Sequence, residues 1–321
     1  MREIVFIKKN KEKWLSYEKL LNGFEYINPE ELTTLYLDLT DDLAYARTYY
    51  PDSKTTLYLN ELAGFAHRKI YKTKKAGGSV IKKFYTHDFP LMFYRYEKYL
   101  LFSFLIFLIF ALIGAFSTSQ NADFVRLIMG DAYVDMTLSN IENGDPLAVY
   151  KQANEIDMFL GITINNIKVA LYTFMMGIFL GLGTIYYLMN NAVMLGAFQY
   201  FFFSKGVGWE SLKTIWIHGT IEISVIIVAG AAGFILASGI LMPGTYTRKQ
   251  AFIQKARDGL KVMLSTIPFF IIAGFLEGFV TRHNDMPAWL ALLIILSSLS
   301  LIIYYYVILP YKLNNRKTRN P

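Results

Sequence analysis

The chain has 321 residues, of which 54% are hydrophobic, 16% aromatic and only 18% charged, with a formal net charge of +7. A soluble domain carries roughly 25% charged residues, so the composition argues against a wholly soluble protein. The absence of cysteine excludes disulfides, thiolate metal sites and cysteine nucleophiles.

The charge is unevenly placed. Residues 1–98 are charge-rich and much of the remainder is not. This predicts a cytosolic helical domain over 1–97, a transmembrane helical domain over 98–311 and a basic cytosolic tail over 312–321. The positive balance fits the positive-inside bias of a membrane protein, and no nucleic-acid partner is expected. The N-terminus runs through Lys8, Lys9, Lys11 and Lys13 with no apolar stretch. No cleaved signal peptide is therefore expected, and the first apolar span would act as a signal-anchor.

In chain order, residues 2–22 predict a basic amphipathic helix. Asn28-Pro29-Glu30-Glu31 predicts a helix start, with Asn as cap, Pro in the first turn and acids at the positive end of the dipole. Leu32, Leu35, Tyr36, Leu39, Leu43 and Ala46 then recur near helical period. Pro51 ends that helix and a third is expected over 52–71. Residues 72–78 predict a basic, flexible break. Residues 79–97 mix Phe84, Phe89, Met92, Phe93 and Tyr94 with Lys82, Lys83 and Arg95, which predicts a lead-in helix at the membrane interface.

A membrane span needs about 20 apolar residues. Residues 100–116, 215–241, 262–281 and 287–310 qualify. The uncharged stretch 169–204 is too long for one span and slightly short for two. The expectation is two crossings with Asn190-Asn191 at the turn, the second crossing short or re-entrant. Segment 118–165 holds seven acids against two bases and is expected outside. The basic loop 242–261 and the tail are expected inside. Five crossings would put both basic segments outside, whereas six satisfy the rule. The expected fold class is thus all-α, a polytopic membrane protein with about six crossing helices and both termini cytosolic. Gly177 and Gly181, the run Ala229-Gly230-Ala231-Ala232-Gly233, and Gly274 with Gly278 predict close helix packing, with a homodimer face as the other reading. Tyr304-Tyr305-Tyr306 predicts an interfacial aromatic belt.

Three ionisable residues lie inside apolar spans: His218, Glu222 and Glu277. A charge at that depth costs at least about 2.5–3.5 kcal/mol and faces a partner or a cavity. His218 and Glu222 are four apart on one helix face. The six-crossing topology makes the two spans an antiparallel hairpin, so all three residues share a depth. Asn165, Asn166 and Lys168 are expected at the same side. The set fits a buried hydrogen-bonded lock, a metal site (zinc by its donors) or acid/base pair, or the lining of a transport path. No phosphate-cradling, nucleophile-elbow or metalloprotease signature is present, which leans against an enzyme and predicts no cofactor beyond that zinc option. His67 and His87 read as surface or packing residues.

Longer motifs carry a resemblance. They include Asn165-Asn166-Ile167-Lys168-Val169-Ala170, Gly177-Ile178-Phe179-Leu180-Gly181-Leu182-Gly183-Thr184 and Asn191-Ala192-Val193-Met194-Leu195-Gly196. His218-Gly219-Thr220-Ile221-Glu222-Ile223, Pro243-Gly244, Thr247-Arg248 and Glu277-Gly278-Phe279-Val280-Thr281 complete the set. The chain resembles the stage II sporulation protein M family. Leu35-Tyr36, Asp42-Leu43-Ala44 and Leu59-Asn60 in the head look like its longer, non-sporulation branch. Departures are Ile217, Ile223 and Arg282, where the family commonly has Pro, Leu and Pro. The resemblance implies a multi-pass protein of the bacterial inner membrane with no established enzyme activity. Its sporulation member is a scaffold for peptidoglycan-degrading partners, and the longer branch is associated with AAA-type ATPases. A scaffold that recruits cell-envelope enzymes or an ATPase is therefore the leading expectation, with a permease subunit as the alternative and a metal-dependent enzyme behind it.

Overall fold

The computed structural model describes residues 2–22, 29–70, 78–151, 154–281 and 286–319. Among these all regular structure is helical. The chain divides into two compact units, Met1–Ile81 and Lys82–Pro321.

In the first unit α1 is Glu3–Asn22, α2 Pro29–Tyr49 and α3 Lys54–Ile70. Asn28, the expected cap of α2, lies outside the described residues, as does the basic stretch 71–77. The apolar stripe predicted on α2 is real: Leu35, Leu39, Leu43 and Ala46 are buried against Phe6, Trp14 and Leu21 of α1 and Leu59, Leu62, Ala63 and Ala66 of α3. Polar clamps surround this core. The Trp14 indole donates to Asp42 at 2.7 Å, the Tyr17 hydroxyl to Asp38 at 2.7 Å and the Tyr58 hydroxyl to Glu18 at 2.9 Å.

Those phenol clamps have a pH signature. Burial, followed by the bond to a carboxylate, pushes both Tyr17 and Tyr58 up to about 12. A raised acid in the folded state holds its proton longer than in the unfolded chain, so its stabilisation is complete below pH 10 and is lost as pH rises through 12. An alkaline titration of a fragment covering residues 1–81, followed by circular dichroism, is expected to show helix loss between pH 10 and 12. The double variant Tyr17→Phe/Tyr58→Phe should flatten that limb.

The second unit is entered through α4, Val80–Gln120, and holds α7 Glu155–Ile178, α9 Gly208–Leu241, α10 Arg248–Thr281 and α11 Ala288–Arg316; these five are long and apolar enough to cross a membrane. Between α4 and α7 lie α5 (Phe124–Met129) and α6 (Asp131–Glu142). A sixth long helix, α8 (Leu182–Ser204), has 23 residues and no charge. Asn190, Asn191 and Gln199 lower its hydropathy, but at about 1.5 Å per residue it is full span length. It is one continuous helix and not a short one.

The predicted split of 169–204 occurs, but not at Asn190-Asn191. Asn191 sits mid-helix and donates its amide to the Tyr187 carbonyl at 2.8 Å. The turn is at Phe179-Leu180-Gly181, where Leu180 and Gly181 both take positive φ, 56° and 86°. Glycine adopts that region without strain, and Leu180 is carried into it. There is room for two full helices because α7 starts at Glu155 rather than near 169. The Asn154 side chain caps it by accepting from the Ile156 amide, and Glu155 and Asp157 occupy the first turn.

α9 is the axis of this unit. Of its most apolar 18 residues 83% are buried, against 17% for α4 and α11, as expected for a helix apolar all round. Its small-residue run receives neighbours at backbone distance. A Cβ on Gly177 would strike the Gly233 backbone, and one on Gly233 would strike Thr184 and the Thr173 carbonyl. Ser103 of α4 donates to the Ile227 carbonyl at 2.7 Å, and Thr184 of α8 to the Thr173 carbonyl at 2.8 Å. Such bonds between helices satisfy hydroxyls that lipid cannot. The glycines thus serve packing within one chain.

Residues 82–97 pack with this unit. Phe89 and Phe93 are fully buried against Tyr306, which also meets Phe269. The tyrosine run is accordingly split. Tyr304 is exposed, but Tyr306 is 1% exposed and shares a 3.1 Å hydrogen bond with Ser265, so that residue belongs to the core rather than to an interfacial belt.

Candidate functional site

α9 and α10 form an antiparallel hairpin joined at Pro243-Gly244. Thr247 and Gln250 close a capping box at the start of α10. The hairpin returns the end of α10 to the first half of α9. There α10 loosens into a π-helical turn, Leu276–Thr281. The wider turn places Glu277 and Thr281 on the side facing α9, and such insertions often occur at functional sites.

His218 is 3% exposed. Its Nδ1 lies 2.9 Å from Thr281 Oγ1, and that hydroxyl donates its proton to the Leu276 carbonyl at 3.1 Å. The Thr281 oxygen is therefore left to accept, which assigns the proton of the imidazole to Nδ1. Nε2 then presents its lone pair towards Glu277, whose Oε1 is 3.8 Å away. Glu222, one turn along α9, accepts a short hydrogen bond from the Asn166 amide of α7. One donor atom each from His218, Glu222 and Glu277 lies within 4.8 Å of the others.

The residues singled out from sequence separate here. His218, Glu222, Glu277 and Asn166 meet. Asn165 and Lys168 are exposed on another face of α7 and do not join them. Lys168 lies 13 residues into α7, about 20 Å from its start, rather than at the head of a span. Thr281 was visible only as part of a motif, although its spacing of four from Glu277 repeats that of His218 and Glu222. Tyr133 of α6 had no signal in the sequence. Burial raises its phenol pKa, and the nearby Glu277 carboxyl adds to that rise against a lowering bond with Thr137. The acidic segment between α4 and α7 thus reaches the polar cluster.

The opposite face of α9 has a different character. Trp216, Thr220, Ile223 and Ile227 floor an apolar cleft of about 1070 Å³, walled by α4, α8 and α11. His218 and Glu222 lie about half a helical turn round from these residues.

Comparison with known proteins decides the family. The family model described as "Stage II sporulation protein M" matches residues 103–282, more than half of the chain. The chain belongs to the stage II sporulation protein M family. All four members of the polar cluster fall within the matched segment. A second family model, described as a domain of unknown function, DUF8413, matches residues 4–72, which corresponds to α1–α3 and accords with a longer, non-sporulation branch. The chain is similar to the uncharacterized protein MJ0706 of Methanocaldococcus jannaschii, with 25% identity over 191 residues, covering 58% of this chain and 83% of the relative. No solved structure matches. With its apolar helices, the stage II sporulation protein M assignment makes this a transmembrane protein.

Proposed function

We propose that this stage II sporulation protein M homologue is a membrane scaffold whose α1–α3 unit recruits a cytosolic or cell-envelope partner, such as an AAA-type ATPase or a peptidoglycan-remodelling enzyme. The observation that carries the reading is the division of α9 into two unlike faces. The polar cluster sits among α7, α9 and α10, whereas the large cleft is apolar and lies on the other side. A transport path needs polar groups along its lining, and here the polar cluster and the cleft do not share one. A head with its own core and clamps, joined to a membrane unit, fits a recruiting role.

The protein resides in the cytoplasmic membrane, with the head, the basic start of α10 and the tail in the cytosol and the acidic segment outside. The charge distribution supports this orientation. Purification from native membranes tests the recruiting role. The full chain is expected to retain a stoichiometric partner that a chain lacking residues 2–70 loses while still inserting. Equal retention by both would contradict it, and solute accumulation by the chain alone in liposomes would replace the scaffold with a permease.

A further inference from the structure

We propose that His218, Glu222 and Glu277 together bind one divalent transition-metal cation, Zn²⁺ by the nature of the donors. This inference does not depend on the scaffold reading.

Three observations point the same way. The first is convergence. An imidazole nitrogen and two carboxylate oxygens from two antiparallel helices lie within 4.8 Å of one another. In a tetrahedral zinc site with metal–ligand bonds of 2.0–2.2 Å, neighbouring ligand atoms are about 3.4 Å apart. The 3.8 Å between His218 Nε2 and Glu277 Oε1 is too long for a hydrogen bond. It is a few tenths of an ångström wider than two ligands of one ion, a gap that small rotations of the Glu277 side chain close.

The second is preorganisation. A metal-binding histidine donates its other ring N–H to a fixed acceptor, which sets the tautomer and aims the ligating nitrogen. Thr281 does this for His218, and its own proton is committed to the Leu276 carbonyl. Asn166 holds Glu222 in the same manner. Both supporting residues come from packed helices, and the π-helical turn brings Glu277 and Thr281 round together.

The third is charge. Ionised together, the two carboxyls would carry −2 among apolar helices, which is costly at membrane depth without a counter-charge. A divalent cation brings the sum to zero. The donor set also selects among cations. One nitrogen and two oxygens fall short of the six to eight oxygens of a calcium site, and a chain without cysteine offers no thiolate for soft metals. Zinc, a borderline cation served by His and carboxylates, fits best, with Mn²⁺, Fe²⁺ and Co²⁺ below it in affinity.

The test uses the full chain in detergent, stripped with chelator and titrated with Zn²⁺ or with Co²⁺ as a spectroscopic probe. The expected result is one Zn²⁺ per chain by elemental analysis, visible d–d bands with Co²⁺, and a rise in the unfolding midpoint on zinc addition. His218→Ala, Glu222→Gln and Glu277→Gln should each weaken binding by more than about 100-fold, and the positioning variant Thr281→Val by about 10–100-fold. The double variant His67→Ala/His87→Ala should bind as the unaltered chain does. The unaltered protein supplies a reading that no misfolded variant can blur: failure to take up zinc or to yield the Co²⁺ bands overturns the proposal. Uptake that survives Glu222→Gln/Glu277→Gln would mean a surface site instead and would also overturn it.

Discussion

Gly177→Ala is expected to destabilise the membrane unit by about 3 kcal/mol, the upper end for overpacking, because the added methyl meets backbone and not a side chain that can turn aside. Its Cβ would lie on the carbonyl and Cα of Gly233, so the whole turn after α7 must lift from α9. That movement would also pull Thr184 from the Thr173 carbonyl. Gly196→Ala should behave alike, since its Cβ would strike the Ala111 backbone of α4. Gly161 supplies the contrast. It lies in the same α7, and nothing stands within 4 Å of its would-be Cβ. There Ala should be neutral or stabilising, by up to about 1 kcal/mol. Thermal unfolding of the three variants in detergent measures the difference, and equal midpoints for Gly177→Ala and Gly161→Ala would contradict the packing described.

The second large effect is expected at His218. In the metal-free protein, His218→Leu should cost about 1–3 kcal/mol, the usual result of leaving buried polar partners unsatisfied. It removes the imidazole facing Glu277 and leaves the Thr281 hydroxyl without the ring it now meets. The triple variant His218→Leu/Glu222→Leu/Glu277→Leu should recover most of that loss, since apolar groups of similar volume replace a buried polar set at little net cost. The comparison separates a cluster that acts as one unit from three independent residues. Unit behaviour gives a triple variant more stable than the single one, whereas independent residues give losses that add.

Much of this site was legible in the sequence because two periodicities coincide. His218 and Glu222 are four apart on one helix, and a short basic loop makes the next span antiparallel, which returns Glu277 to their depth. What the sequence obscured was where helices begin. The uncharged run starts at Val169, but charge is tolerated in a helix's first turns, so α7 opens at Glu155 behind an Asn154 cap. That shift moves Asn165 and Lys168 to mid-helix. Asn166, about 100° round from Asn165, is the member that reaches Glu222. Similarly, Asn190-Asn191 looks like a turn by composition, but an asparagine amide can bond a carbonyl one turn back, as Asn191 does. The real turn is marked by Gly181 alone, amid Phe179, Leu180 and Leu182. Tyr306 shows the same limit: a tyrosine run reads as an interface until a buried partner such as Ser265 is known.

His218 and Glu277, 59 positions apart, meet in one site. Because the chain has no cysteine of its own, the pair His218→Cys/Glu277→Cys can be probed in native membranes with a short bifunctional thiol reagent, followed by proteolysis between α9 and α10. The two fragments should stay linked, while Lys168→Cys/Glu277→Cys, which places one thiol on the exposed face of α7, should give separate fragments. Linkage of the control pair without linkage of the 218–277 pair would contradict the shared site.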